Sequence, residues 1–398
     1  MRGAPAQQLT FFGVEASPYQ LKMQALADGA GVAWRRLPAQ GSRWQNTALY
    51  AQLGLARTRG KITRVPALVS GMDEYPSVPF YRFDGEDIRY DSSGLGRDLA
   101  LRGAGHLVPE DPVLAFVCRL LDEAFDEFGL YMVHHHRWVT SAHTNKMGDK
   151  TAAEMSRLLP PGFARRLARE LPQRQVRRCP YLFSVAPSDY DCGMPLALTP
   201  PSREGFPSTH TLLDQSWRDY LAAMESLLAV QPYLLGDQFS LADASAYGQL
   251  AMNLGDGRAE ELMREIAPRT HVWLQKISMG EHGHSGGESA LSEALGPLLD
   301  VVGATFIPLM AQNAVAYDRE VAGGQTKFNE SAFDSGEALY DGELRGFPFR
   351  AVVKTFQVQV WREIGQAWAE LSLSQHQVLL NACPALSALQ AVCEPLEL

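Results

Sequence analysis

Three short stretches in the first hundred residues carry side chains able to hold a reactive group. In "VEASPYQLK", Ser17 and Pro18 stand at the joint between an apolar run and a helix-patterned segment. Proline suits a first helical turn, where its missing N–H would be unpaired anyway. Ser17 then sits at the positive end of the helix, its hydroxyl where an anion is favoured. In "RVPAL", Val65 and Pro66 bring a proline into a strand, which points to an edge, a bulge or a cis bond. A cis bond there would turn the Val65 backbone outward, toward an extended ligand. In "RYDSSGL", Asp91 and Ser92 open a helix, where they either cap it or receive the ammonium and carboxylate of a ligand. Each pair also has a plain structural reading: helix punctuation, edge-strand proline and N-cap.

Other candidates are weaker. Tyr131, His135 and Trp138 fall at i, i+4 and i+7, so one helix face carries all three, as an aromatic wall or as core. The neighbouring histidines His134, His135 and His136 point in different directions on a helix, so a shared metal is not expected. "RRLARELPQRQVRR" packs six arginines together, a solvated surface or a lid over an acidic substrate. "EHGHSGGES" is glycine-rich but follows no strand and ends without Lys-Ser/Thr, so it reads as a loop and not a phosphate cradle. The sequence holds no GxSxG and no HExxH. Five cysteines (Cys118, Cys179, Cys192, Cys383, Cys393) form no CxxC or Cys/His cluster, so reduced, mostly buried thiols are expected, with no metal site.

The elements that must position these residues divide in two. From 8 to 100, strand and helix patterns alternate: "LTFFGVE" and "VAWRRLP" read as strands, "SPYQLKMQALADGAG" as a helix. A polar, helix-compatible stretch follows to Arg59. "RVPALVSG" and "VPFYRFDGEDIRY" give further strands with "DG" as a turn, and a helix starts at Asp91 or Ser92. That order fits a small α/β sandwich with a mixed sheet. From 110 to 398 the pattern is helical: Leu114, Val117, Leu121, Ala124, Phe125 and Phe128 recur at helical spacing, as do Phe356, Val360, Ile364, Trp368 and Leu371. Residues 140–210 read as an irregular excursion, and "REVAGGQTKFNESAFDSGEALYDGELRGFPF" as another irregular stretch.

The 398 residues, 46% hydrophobic and 20% charged, suit a soluble globular protein with a large core. A formal net charge of -9 disfavours nucleic acid, whose phosphates would be repelled. The first ten residues lack the apolar core of a signal peptide, and no apolar run of about eighteen residues is apparent, so no membrane contact and a cytoplasmic location are expected.

"SPYQLK", "VPAL" and "DGEDIRYDSSGL", in that order, resemble the glutathione-binding domain of the glutathione S-transferase superfamily. "YLLGDQFSLADASAYGQL" is similar to the superfamily's helix start in the second domain, with Ser240 as N-cap, Asp243 three residues on and Phe239 as a staple. The resemblance covers roughly 8–135 and 210–275. It implies a thioredoxin-like α/β N-terminal domain (8–100) followed by an enlarged all-α domain (110–398). It implies glutathione as co-substrate, with Ser17 donating a hydrogen bond to its thiolate. Val65, ahead of Pro66, would pair through its backbone with the cysteinyl part. Asp91 and Ser92 would hold the γ-glutamyl end, and Arg64 would lie near the glycine carboxylate. Lys22 matches a recurrent basic position or is a solvated helix charge. A hydrophobic electrophile would sit between the domains against Tyr131, His135 and Trp138. A homodimer is implied as well. The alternative is a non-catalytic protein that uses the same fold for binding or assembly.

Overall fold

The computed structural model describes residues 8–64, 79–282 and 287–390. Its first layer runs β1 (Leu9–Phe12), α1 (Pro18–Gly29), β2 (Trp34–Leu37), α2 (Arg43–Thr58), β3 (Phe80–Phe83), β4 (Arg89–Tyr90) and α3 (Ser92–Leu101). The sheet order is β2-β1-β3-β4, with β2 parallel to β1, β3 antiparallel to β1 and β4 antiparallel to β3. Order and directions are those of a thioredoxin-like layer. Successive strand side chains point to opposite faces, so Phe11 joins the main core while Phe12 packs with Leu37, Leu53 and Phe80 beneath α2. The strand expected at "RVPALVSG" falls almost wholly outside the described residues; just before it, Thr63 bridges Arg89.

Asp111 caps the next helix, its Oδ1 accepting from the amides of Val113 and Leu114 at 3.0 Å. One long helical rod follows: α4 (Pro112–Ala124), a wide π turn (Phe125–Gly129), α5 (Leu130–His135) and a second π turn (His136–Thr140). The excursion at 140–210 is more ordered than its composition suggests, since it folds α6 (Met147–Met155) and α7 (Pro161–Arg177). Next come α8 (His210–Leu227), α9 (Leu241–Leu250), α10 (Arg258–Ile266), α11 (Pro268–Ser278), α12 (Gly296–Ala304) and α13 (Phe306–Ala322). The second stretch expected to be irregular holds α14 (Glu330–Ser335) and a hairpin, β5 (Leu339–Leu344) with β6 (Phe347–Val352). Arg345 and Gly346, both at positive φ, make its two-residue turn. The chain closes with α15 (Thr355–Ala369) and α16 (Leu373–Ala382). The α/β layer followed by a helical mass is therefore as expected, with one hairpin added.

One expectation is corrected. The stretch Glu293–Ala322 is long and apolar enough to cross a bilayer by composition. In the fold it breaks at Thr305 into α12 and α13, and Leu298, Leu299, Val302, Phe306 and Met310 face the core.

The two halves meet where α1 lies on α9. Gly248 permits the approach: a Cβ there would stand 2.7 Å from the Pro18 carbonyl oxygen. Lys22, one turn further along α1, is fully buried. Its ammonium contacts Asp122 and Asp126 of the long rod at 2.6 Å each, and the Ser93 hydroxyl at 2.7 Å. It is thus neither solvated nor open to a ligand. Burial opposes its charge, but the two carboxylates outweigh that and hold its pKa above the ordinary lysine value.

Candidate functional site

A cleft of about 920 Å³ opens between the α/β layer and the helices, lined by Ser17, Asp91 and Ser92 on one side and by Tyr131 and Trp138 on the other. Ser17 is the N-cap of the 12-residue α1, yet its side chain makes no capping hydrogen bond. Its hydroxyl therefore faces the cleft uncommitted among the described residues, beside the positive end of the helix.

The loop that carries Ser17 is pinned from outside the layer. Arg137, buried in the second π turn, donates from one terminal nitrogen to the Ala16 carbonyl at 2.9 Å and from Nε to Asp256 at 2.7 Å. Its other terminal nitrogen donates to the Met252 carbonyl. Glu154 of α6 accepts the Glu15 amide at 3.3 Å and pairs with Arg36 at 2.9 Å. Neither residue stands out in the sequence. The usable signal was an arginine at 137 inside an otherwise buried run, since a buried guanidinium needs several acceptors.

Asp91 opens α3 at φ 79°, a left-handed conformation that costs a non-glycine residue about 1–3 kcal/mol. Its Oδ1 accepts the Ser93 amide at 3.0 Å, and its Oδ2 takes the Arg64 guanidinium. Burial raises its pKa, but Arg64, then Arg97 and Lys22, more than offset this and hold it below the usual carboxylate value. Arg64 does not line the cleft. It lies behind Asp91, with its other arm on Glu363 of α15 at 2.8 Å, and Glu363 also binds Arg119 at 2.6 Å. Val65 and Pro66 lie outside the described residues; among those described, the cis bond is Leu37–Pro38.

His135 is not on the cleft wall. The lining positions of the rod are Glu123, Asp126, Glu127, Leu130, Tyr131, His134, Arg137 and Trp138; His135, turned about 100° from His134, falls at the edge of this face and packs away from the cleft. There its Nδ1 lies 2.9 Å from the Ser184 hydroxyl and its ring meets His210. His134 takes its place in the cleft, near Gln175 of α7. Of the arginine run, Arg174 and Arg178 reach the cleft, and Arg178 is paired with Glu330 at 2.8 Å. Among the described residues no cluster of histidine, cysteine and carboxylate side chains could hold a metal, and Cys118, Cys179, Cys192 and Cys383 are unpaired.

The deep end of the cleft is acidic. Asp126 and Glu123 line it, and Asp122 lies behind, bonded to Lys22 and to the Ser245 hydroxyl. Burial, then the charge of Asp122, pushes the Glu123 carboxyl above the usual range despite Arg119 and Arg97. Asp126 is also raised, mainly by burial, with Lys22 opposing.

No family model matches the sequence, and no curated protein matches it. Solved structures that resemble the fold include a glutathione S-transferase from Pseudomonas fluorescens (17% identity, 67% of this chain and 93% of that one, TM-score 0.35). Another is a theta class glutathione S-transferase from Xanthomonas axonopodis pv. citri with glutathione bound (16%, 69% and 92%, 0.35). A third is the β-etherase LigF from Sphingobium (16%, 72% and 96%, 0.40).

Proposed function

We propose that this chain is a glutathione-dependent transferase or lyase, in which the Ser17 hydroxyl stabilises the thiolate of bound glutathione. The observation that carries this reading is the Ser17 hydroxyl itself. It is uncommitted, half-buried at the N-terminus of α1, and opens onto a cleft large enough for a tripeptide and a second molecule. A hydroxyl donor and a helix N-terminus both favour the anionic sulfur, lowering the thiol pKa toward neutrality. The thiolate then attacks an electrophilic carbon of a hydrophobic compound lying against Tyr131 and Trp138. The new C–S bond forms as the bond from that carbon to its leaving group breaks, the electron pair departing with the leaving group. A serine in that position forms no mixed disulfide, which argues against thiol–disulfide exchange.

Ser92, at the start of α3, would hold the γ-glutamyl end, with Asp91 fixed beside it by Arg64. The alternative, a binding or assembly protein without turnover, draws support from one contact. Arg64 is already bonded within the chain to Glu363 rather than facing the cleft.

Retention on immobilised glutathione followed by a panel of electrophiles separates the two. The enzyme reading expects both binding and turnover, with Ser17→Ala raising the pKa of the bound thiol and slowing turnover on the order of 10- to 100-fold. Binding without turnover on any electrophile supports the alternative. Turnover unchanged in Ser17→Ala removes the role given to Ser17.

A further inference from the structure

The carboxylate that the sequence offers for a ligand's ammonium is Asp91, but both of its oxygens are engaged, one by the Ser93 amide and one by Arg64. A different acid at the same end of the cleft is not engaged. Glu123, on α4, is only 2% exposed and lines the cleft beside Ser92, Ser93 and Asp126. Its Oε1 is buried without a hydrogen-bond partner among the described residues. Asp91 and Glu123 line the same cleft, and Arg97 of α3, 3.9 Å from Asp91, also bears on the charge of Glu123. A buried carboxyl with no partner costs free energy in the empty protein, unless a ligand completes it.

We infer that Glu123 receives the primary ammonium of the γ-glutamyl group, while Asp91 serves to fix Arg64 and the start of α3. The inference rests on glutathione being the ligand. The bond formed is an N–H···O contact between ammonium and carboxylate, and Glu123 must give up its own proton to make it. The charged groups around Glu123 are Asp122, Asp126 and Arg119 on its own rod, Arg97 from α3, Lys22 from α1, and Glu363 of α15 through Arg119. Lys22 is tied to Asp122 and Asp126, so it does not neutralise Glu123. Burial and Asp122 keep the Glu123 carboxyl protonated until the ammonium arrives.

Calorimetric titration tests this with glutathione and N-acetylglutathione against the wild-type chain and Glu123→Gln. The wild type is expected to bind glutathione roughly 10- to 100-fold more tightly than the acetylated peptide, as for a charge-assisted hydrogen bond. Glu123→Gln is expected to bind both peptides alike, at the weaker level. Titrations in buffers of different ionisation enthalpy should show more proton released on wild-type binding than on binding to the variant. Ionisation of the bound thiol is common to both, so the difference is the Glu123 proton. The inference is overturned if the wild type does not discriminate between the peptides, or if the variant still does. It is overturned too if the wild type releases no more proton on binding glutathione than Glu123→Gln does. A wild type that binds neither peptide at millimolar concentration instead removes the glutathione reading itself, and this inference with it.

Discussion

Two serines begin two helices that lie against each other, and the chain treats them in opposite ways. Ser240, at the start of α9, is fully buried; its amide and hydroxyl both donate to Asp243, at 2.9 and 2.7 Å. The Leu234 amide donates to the other oxygen of Asp243 at 2.8 Å. Burial pushes Asp243 up to about 6 while these donors restrain it, which leaves the carboxylate ionised at neutral pH. Ser17, at the start of α1, is half-buried and makes no capping bond. A hydroxyl consumed by its own helix can only stabilise, whereas one left open at a helix N-terminus can meet a ligand. The same residue type in the same local position is structural in one joint and chemical in the other, and only the surroundings differ.

The sharpest test of that contrast removes what holds the two helices to the rod. Lys22→Met leaves two buried carboxylates facing each other and should cost about 3–5 kcal/mol of unfolding free energy in a denaturant titration. Little change would show that the buried pairs do not set the position of α1. Asp243→Ala orphans two buried amides and the Ser240 hydroxyl, so a loss of about 2–4 kcal/mol is expected at the second joint. Glutathione affinity in any fraction still folded should be unaltered.

Acid should act on the buried histidines of the rod, His134 at the cleft and His136 against Trp217, before it acts on either helix joint. Burial lowers His134 and His136 to about 3, far under the ordinary histidine value. Below about pH 6.5 the unfolded chain therefore takes up protons that the folded chain refuses. Stability should fall as pH drops from about 6.5 toward 3, with a slope on the order of 1.4 kcal/mol per pH unit for each histidine. The double variant His134→Gln, His136→Phe should flatten that slope; an unchanged pH profile of thermal unfolding would place the sensitivity elsewhere. The smallest expected effects are on the serines themselves. Ser240→Ala should cost about 1 kcal/mol, and Ser17→Ala less than about 0.5 kcal/mol. A Ser17→Ala loss as large as that at Ser240 would mean that its hydroxyl is a cap after all.

The α/β layer was legible because its signals are local. Phe11 and Phe12 alternate across a strand, Pro18 marks a first helical turn, and Asp91 stands ahead of two serines. The Ser240–Asp243 pair was legible for the same reason, being three residues apart in one chain segment. The hairpin at 339–352 was missed although "LYDGELRGFPF" contains its turn, because arginine at positive φ is an uncommon turn residue. His135 was preferred over His134 because a helix allows both i+3 and i+4 neighbours, and only the packing of α8 and α7 on either side chooses between them.

What the sequence determined alone is the type of the described elements in the α/β layer and of the long amphipathic helices, and the presence of a hydroxyl at the head of α1. The tertiary structure decided which charges are available. Asp91 and Arg64 neutralise each other, Lys22 is buried between Asp122 and Asp126, and Glu123 is left without a partner among the described residues. Helix periodicity and capping act over three or four residues, so they can be read along the chain. Ion pairing and desolvation depend on groups a hundred or more residues apart, such as Arg64 with Glu363 or Ala16 with Arg137, and those distances exist only once the chain has folded.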